Sequence, residues 1–365
     1  HYRRGGELLR NYSCTLAPEE EERNIEKAKE AVDKGWAAGP FDVVPFPNPS
    51  CPKQAVVTKS FTIPKHKWVD DGSLRLIFHK SFPLGRSLNA LTPRHDISTF
   101  FPRGKFKFFT FKALISMLER AGRGSLMTQF DAADAYKQLR VALSDLNQQV
   151  FKAGGKYYVD LCASFGSIYG NDSYSVVGQA HCMCLAKATR CFLLRVYVDN
   201  YINITPQKGG PLITMEVAKA EAEVIKAELE RSGILFHQFQ GPTTSFIFLG
   251  WLIDTESMTV AITPDRKSLM VNLLEEWREK SSFTSKELSS LIGLLIFLGQ
   301  VTNGLRSTTA LLIKLRTELN SKSTRSVLNT PRIRTSLEHV AYVLNRWGGI
   351  ASIYDREWVD NQADV

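Results

Sequence analysis

Along the chain, apolar and polar positions alternate with a period near two in some stretches and near 3.6 in others, and the switches mark the elements. Two apolar runs end in acid. Ser125-Leu126-Met127-Thr128-Gln129-Phe130 runs into Asp131. Cys191-Phe192-Leu193-Leu194-Arg195-Val196-Tyr197-Val198 runs into Asp199-Asn200, with Tyr201-Ile202-Asn203-Ile204 beyond. Apolar, acid, apolar over so few residues predicts a buried hairpin with a polar tip. Laid beside the first strand, that hairpin would bring Asp131 and Asp199 to one spot. Short strands are also predicted at 61–67 and 74–78 around the turn Asp70-Asp71-Gly72, at 153–159, and as a hairpin of 246–253 with 260–262.

Helical stretches carry end signals. Pro18 followed by Glu19 to Glu22 predicts a helix start, with the helix running to Lys34 and stopping at Gly35. Further helices are predicted at 111–120, just after Tyr136, following the glycines of 163–174, and at 212–231, closed by Gly233. Thr284 to Glu287 is a capping-box pattern, and Leu288, Leu291, Ile292, Leu295 and Leu298 then form one apolar stripe before Gly299. With 307–319 and 334–346 also helical, the C-terminal part reads as mostly α. The prolines between Gly39 and Pro64, among them Pro45, Pro47, Pro49 and Pro52, predict an extended arm.

With 365 residues, 44% apolar and 23% charged, the chain can bury a large core and form more than one subdomain. Its net charge of +9 is compatible with a polyanionic partner. The six cysteines, Cys14, Cys51, Cys162, Cys182, Cys184 and Cys191, are too scattered for a disulfide scaffold, so a reduced, intracellular protein is expected. His181, Cys182, Cys184 and Cys191 could hold zinc, but no second knuckle is present and core packing is favoured. No apolar run reaches the length of about 18 residues that spans a membrane, and no secretory signal opens the chain. It begins at His1, which suggests a piece of something longer.

Two carboxylates held together repel unless a cation lies between them. A hard, oxygen-liganded ion such as Mg2+, with Mn2+ as a substitute, needs only one or two protein carboxylates when substrate phosphates supply the rest. The alternative is that Asp131 and Asp199 each cap a strand end. Lys65, Lys67 and Arg75 on a preceding hairpin suit a triphosphate, although surface lysines are commonplace. The run 100–111 alternates aromatics with Arg103, Lys105 and Lys107. It fits a nucleic-acid stacking surface and an ordinary strand equally well.

The residues 63–65 to Asn89, 130–136, Phe165-Gly166, 197–200 and 248–251 resemble, in this order, the fingers, palm and primer-grip motifs of reverse transcriptases. The stretch from Leu74 to Asn89, and the one from Lys286 to Gly293, are most similar to the tyrosine-recombinase retrotransposons of the DIRS and Ngaro kind. The resemblance covers roughly 35–355. It implies an α+β right-hand polymerase with fingers, palm and thumb. The expected divisions are an N-terminal helix and arm (1–55), first fingers part (56–124), palm with a second fingers insertion (125–255), and thumb with the start of a connection (256–365).

On individual residues, the resemblance implies that Asp131 and Asp199 ligate metal with the carbonyl of Ala132. Asp134, Ala135 and Tyr136 would line the nucleotide site, with the Tyr136 ring excluding a 2′-hydroxyl. Lys65 or Lys67, with Arg75, would hold the triphosphate. Phe165 and Gly166 would line the pocket, Phe165 standing where many relatives have Gln. Phe248, Leu249, Gly250 and Trp251 would position the primer end. The implied activity is RNA-directed DNA polymerisation, a nucleotidyl transfer, on an RNA or DNA template–primer duplex with dNTPs. One departure stands out: relatives usually carry two adjacent aspartates where this chain has Asp199-Asn200. An amide oxygen can ligate a metal but adds no charge, so a silenced nucleic-acid-binding module and a domesticated polymerase are the rival readings. No second acidic cluster for ribonuclease H and no recombinase tetrad is present in the sequence, so template RNA is expected to survive synthesis.

Overall fold

The computed structural model describes residues 16–46, 56–64, 72–81, 87–91, 108–207, 214–321 and 326–353. Lys65 and Lys67, most of the Asp70-Asp71-Gly72 turn, residues 47–55 of the proline arm and 100–107 lie outside them, as do Cys14 and Cys51.

The first helix, α1 (Pro18–Asp33), has proline at its start and Glu19, Glu20 and Glu21 in its first turn, where their charge meets the unpaired N–H groups. It buries Asn24, Ala28 and Ala31, one face at helical spacing, and ends as Gly35 turns left-handed. That face lies on a five-stranded sheet of β1 (Ala37–Phe41), β2 (Val57–Pro64), β3 (Leu74–Phe78), β5 (Val150–Ala153) and β6 (Lys156–Asp160), ordered β1-β6-β5-β2-β3. The hairpin of β2 and β3 forms as predicted, with Ile63 opposite Arg75. The start of the expected extended arm is a strand, β1, paired to β6.

A second sheet is antiparallel throughout: β4 (Leu126–Ala132), β7 (Leu194–Tyr197), β8 (Asn200–Thr205) and β9 (Phe236–Thr243), ordered β7-β8-β4-β9. Helices α2 (Phe111–Ala121), α3 (Gly170–Thr189) and α4 (Met215–Ser232) flank it, and α4 closes at Gly233 in the left-handed region. Phe130, Tyr201 and Phe239 stack through its centre at ring separations of 5.0 Å. The remaining chain builds one large core. It runs from α2 through a third sheet, β10 (Ser245–Phe248), β11 (Trp251–Asp254), β12 (Thr259–Ile262) and β15 (Ile350–Ser352). It then takes in the helices α5 (Pro264–Glu279), α6 (Ser285–Leu298), α7 (Arg306–Ser321) and α8 (Pro331–Arg346). The capping box on Thr284 and Glu287 forms, and all five stripe residues of α6 are buried. A small pair, β13 (Ser282–Thr284) and β14 (Ser326–Leu328), closes that end.

Two expectations are corrected, and two elements went unpredicted. The helix after Tyr136 is instead two 3-10 stretches, Ala135–Gln138 and Leu143–Gln148. The run 246–253 is not one strand, because Leu249 and Gly250 both take positive φ and turn the chain, pairing Phe248 with Trp251. Helix α5 and strand β9 were not predicted: α5 begins at Pro264 with a face diluted by charge, and β9 mixes Gln, Gly and Pro with its aromatics.

Candidate active site

Strand β4 is buried at nearly every position, so its register is fixed by packing on both faces and its last residues have one place to go. That register sets Asp131 opposite Asn200, and the Ala132 N–H donates to the Asp199 carbonyl at 2.9 Å. Asp199 sits in a two-residue hairpin turn whose first member, Val198, is held at φ +57°. A β-branched residue there is strained, costing about 1–3 kcal/mol, and such strain persists only where the surroundings impose it. The two acidic run-ends thus meet, as the apolar–acid pattern predicted.

The electrostatics are those of an unneutralised pair. One oxygen of Asp131, Oδ1, is buried without a hydrogen-bond partner. Burial first, and then the Asp199 charge, pushes the Asp131 carboxyl up to about 6, with His237 pulling weakly the other way. Asn200 Nδ2 donates to Asp199 Oδ1 at 3.1 Å, so the amide serves as a neutral neighbour. A partnerless buried carboxylate oxygen on Asp131 beside the second carboxylate of Asp199 is a donor set whose chemistry fits a hard divalent cation. Among the described residues no three His, Cys, Asp or Glu side chains gather to hold a metal ion, so this site offers two carboxylates and leaves the remaining positions to other oxygens. The zinc reading has no support: His181 bonds the Tyr201 hydroxyl and Ser232, while Cys182 and Cys191 are core residues.

Beside the carboxylates stands an aromatic wall. Asp134 turns left-handed at φ +45° and starts the 3-10 turn that carries buried Ala135 and half-buried Tyr136. Gln138 pins this turn, donating to the Ala133 and Leu235 carbonyls and accepting from the Leu235 N–H. The Tyr136 ring meets Phe165 edge-on at 4.7 Å, and its hydroxyl donates to Asn171 Oδ1 at 3.1 Å. The Arg75 guanidinium lies 4.6 Å from the Phe165 ring centre. Arg75, Phe165 and Tyr136 are therefore one continuous surface contributed by three separate segments. Gly166 has φ +97°, and a Cβ there would meet the Phe78 carbonyl at 2.0 Å. Only glycine lets this loop approach β3 so closely.

The four residues from Phe248 to Trp251 are not equivalent. Phe248 and Trp251 are fully buried, Trp251 stacking on Phe297 at 4.3 Å, so they anchor the hairpin and cannot touch a ligand. Leu249 and Gly250 form its tip, and Arg266 donates to the Gly250 carbonyl at 3.2 Å. The sequence reading did not single out Asn171, which lies in the first turn of α3 just after the glycine-containing segment. His237 was hidden on an unpredicted strand.

No protein-family model matches the chain, and no curated protein matches its sequence. Solved structures do. The chain is similar to the foamy viral protease-reverse transcriptase in complex with dsDNA, at a TM-score of 0.60 and 18% identity, covering 95% of this chain and 60% of that one. It is similar also to that enzyme in complex with RNA/DNA hybrid, at 0.60 and 16%, covering 92% and 38%. A third, the dRH form in complex with ds DNA, matches at 0.60 and 16%, covering 92% and 50%. The fold is thus that of a reverse-transcriptase-like polymerase, α+β with antiparallel sheets, and the chain spans 38% to 60% of the length of these neighbours. Among the described residues no helix is long and apolar enough to cross a membrane.

Proposed function

We propose that the chain is the polymerase portion of a reverse transcriptase of retrotransposon type, extending a primer 3′-end with dNTPs on an RNA or DNA template. The observation that carries this reading is the partnerless Asp131 oxygen, on a carboxyl that feels the Asp199 charge, next to the wall of Arg75, Phe165 and Tyr136. In it, residues 56–124 serve as fingers, 125–255 as palm with the second fingers insertion, and 256–365 as thumb.

The primer 3′-oxygen attacks the α-phosphate, forming one P–O bond as the bond to pyrophosphate breaks. Bound Mg2+ supplies charge stabilisation to the oxygens of that displacement. The chain's own residues do the positioning. Asp131, Asp199 and the Ala132 carbonyl would hold the ions. Arg75, with Lys65 or Lys67, would hold the triphosphate. Phe165 and Tyr136 would support the sugar, the Tyr136 ring standing against a 2′-hydroxyl. The hairpin tip Leu249-Gly250 would meet the primer end, buried Phe248 and Trp251 fixing its angle.

One observation favours a second reading. Asn200 brings no charge and occupies an Asp199 oxygen with its amide, which weakens the site for a cation and suits a silenced nucleic-acid-binding module. Primer extension on an RNA template with Mg2+ and then Mn2+ separates the two. The comparison is between this chain, Asn200→Asp and Asp131→Ala. Extension lost only in Asp131→Ala supports a working polymerase. Extension gained only in Asn200→Asp supports the silenced module, and none in any variant ends the polymerase reading.

A further inference from the structure

Behind the wall lies a buried charge cluster that the proposed reaction does not use. Lys80 and Asp160 are each 2% exposed. Lys137 Nζ donates to both Asp160 carboxylate oxygens at 2.9 Å, and Lys80 Nζ donates to Gln149 Oε1 at 2.5 Å while sharing the Asp160 charge. Two ammonium groups therefore depend on one carboxylate. Both also lie near the Phe78 ring, Lys137 at 5.5 Å and Lys80 at 5.9 Å from its centre. Burial pushes Lys80 down to about 8. Apolar side chains of the same volume would fill such a space at no loss of stability, so stability alone does not account for the cluster.

What the cluster does join is the aromatic wall. Lys137 follows Tyr136 within the same 3-10 turn. Lys80 lies two residues past Phe78, whose carbonyl is the backbone that Gly166 approaches, and whose strand carries Arg75. Asp160 ends β6 and opens the segment leading to Phe165; its Oδ1 also accepts from the Cys162 N–H at 3.3 Å. The Ala163 N–H next donates to the Leu139 carbonyl at 2.8 Å, tying that segment to the Tyr136 turn again. One carboxylate thus sits where the three segments bearing Arg75, Phe165 and Tyr136 meet.

We propose that Lys137, Asp160 and Lys80 are positioning residues for the incoming nucleotide, fixing the spacing of Tyr136, Phe165 and Arg75 from behind and so setting dNTP affinity and sugar selectivity. The inference rests on the polymerase reading above. A charged pair suits this task better than apolar packing because it has one geometry, whereas apolar contacts tolerate sliding.

The test is steady-state primer extension, in whichever of the parent chain and Asn200→Asp extends, with thermal melting and primer–template binding measured alongside. The variants are Lys137→Arg, Lys80→Met, and the apolar triple Lys80→Met with Lys137→Met and Asp160→Leu, which leaves none of the three buried charges unpaired. Positioning predicts a triple variant that melts like its parent and binds duplex normally, yet shows dNTP KM raised about fivefold or more with kcat changed much less. Its rNTP use relative to dNTP rises too, and Lys137→Arg keeps most of the parent's values. A triple variant with the parent's KM and sugar selectivity overturns the inference and leaves the polymerase reading standing. So does a KM that moves only in step with melting temperature across the series. Should the triple variant fail to fold, Lys80→Met is followed by the same measurements, and a raised or unchanged KM decides the matter in the same way. Failure of both the parent and Asn200→Asp to extend overturns the polymerase reading, and the inference with it.

Discussion

Replacing Asp131 with asparagine should stabilise the metal-free protein while ending its chemistry. In the fold the Asp131 carboxyl is displaced from its ordinary value of 3.8 to about 6, first by burial and then by Asp199. The folded state therefore binds this proton more tightly than the unfolded chain does. It follows that stability is highest below 3.8, declines as pH rises through about 6, and is level above. At ~1.4 kcal/mol per pKa unit the whole displacement corresponds to ~3 kcal/mol, and because Asp131 is only half-buried, solvent screening reduces this to ~1 kcal/mol. For a chain of this size that is a gain of about 1–2 °C. Melting curves in chelator at pH 8 should show Asp131→Asn above the parent, whereas the gap should shrink to roughly half at pH 5 and vanish only below 3.8, where the carboxyl is protonated in both the folded and the unfolded chain. Adding Mg2+ at pH 8 should raise the parent and leave Asp131→Asn nearly unmoved. A variant that melts below the parent at pH 8, or that gains equally at both pH values, would refute the account of Asp131 as an unneutralised carboxylate.

The same proton competes with a cation, so incorporation should fall as pH drops through about 6, and raising the Mg2+ concentration should recover it; a profile flat from pH 5 to 8 contradicts this. Tyr136→Ala should raise rNTP use relative to dNTP. Asn171→Ala, which removes the acceptor of the Tyr136 hydroxyl, should shift the ratio the same way by about two- to tenfold, as read from competitive incorporation. Gly166→Ala forces a methyl group onto the Phe78 carbonyl and should raise dNTP KM as the loop retreats, with a stability loss of about 1–3 kcal/mol by denaturant titration. Leu295→Ala, in the buried stripe of α6, should cost ~2–5 kcal/mol in the same titration without altering sugar selectivity in the fraction that remains folded.

Local patterns by themselves determined much of this protein. The apolar run into Asp131 and the apolar–acid–apolar hairpin around Asp199 specify their own strands, because alternation and burial leave each only one register. Pro18 with its acidic turn, Gly233, and the Thr284–Glu287 box specify their helix ends through groups a few residues apart. What local pattern could not decide is whatever depends on residues distant in sequence. The turn after Tyr136 is 3-10 because Gln138 is recruited by Leu235, almost a hundred positions on. The break at Leu249-Gly250, read locally as continuous strand, follows from Phe248 and Trp251 both being drawn into one core. The meeting of Arg75, Phe165 and Tyr136 was legible only through the family resemblance and not from local periodicity, while the part of Asn171, and the charge cluster of Lys80, Lys137 and Asp160 behind them, left no trace in any window of the chain. Each charge looks like a surface residue until folding removes its water, and only then does its partner become a necessity.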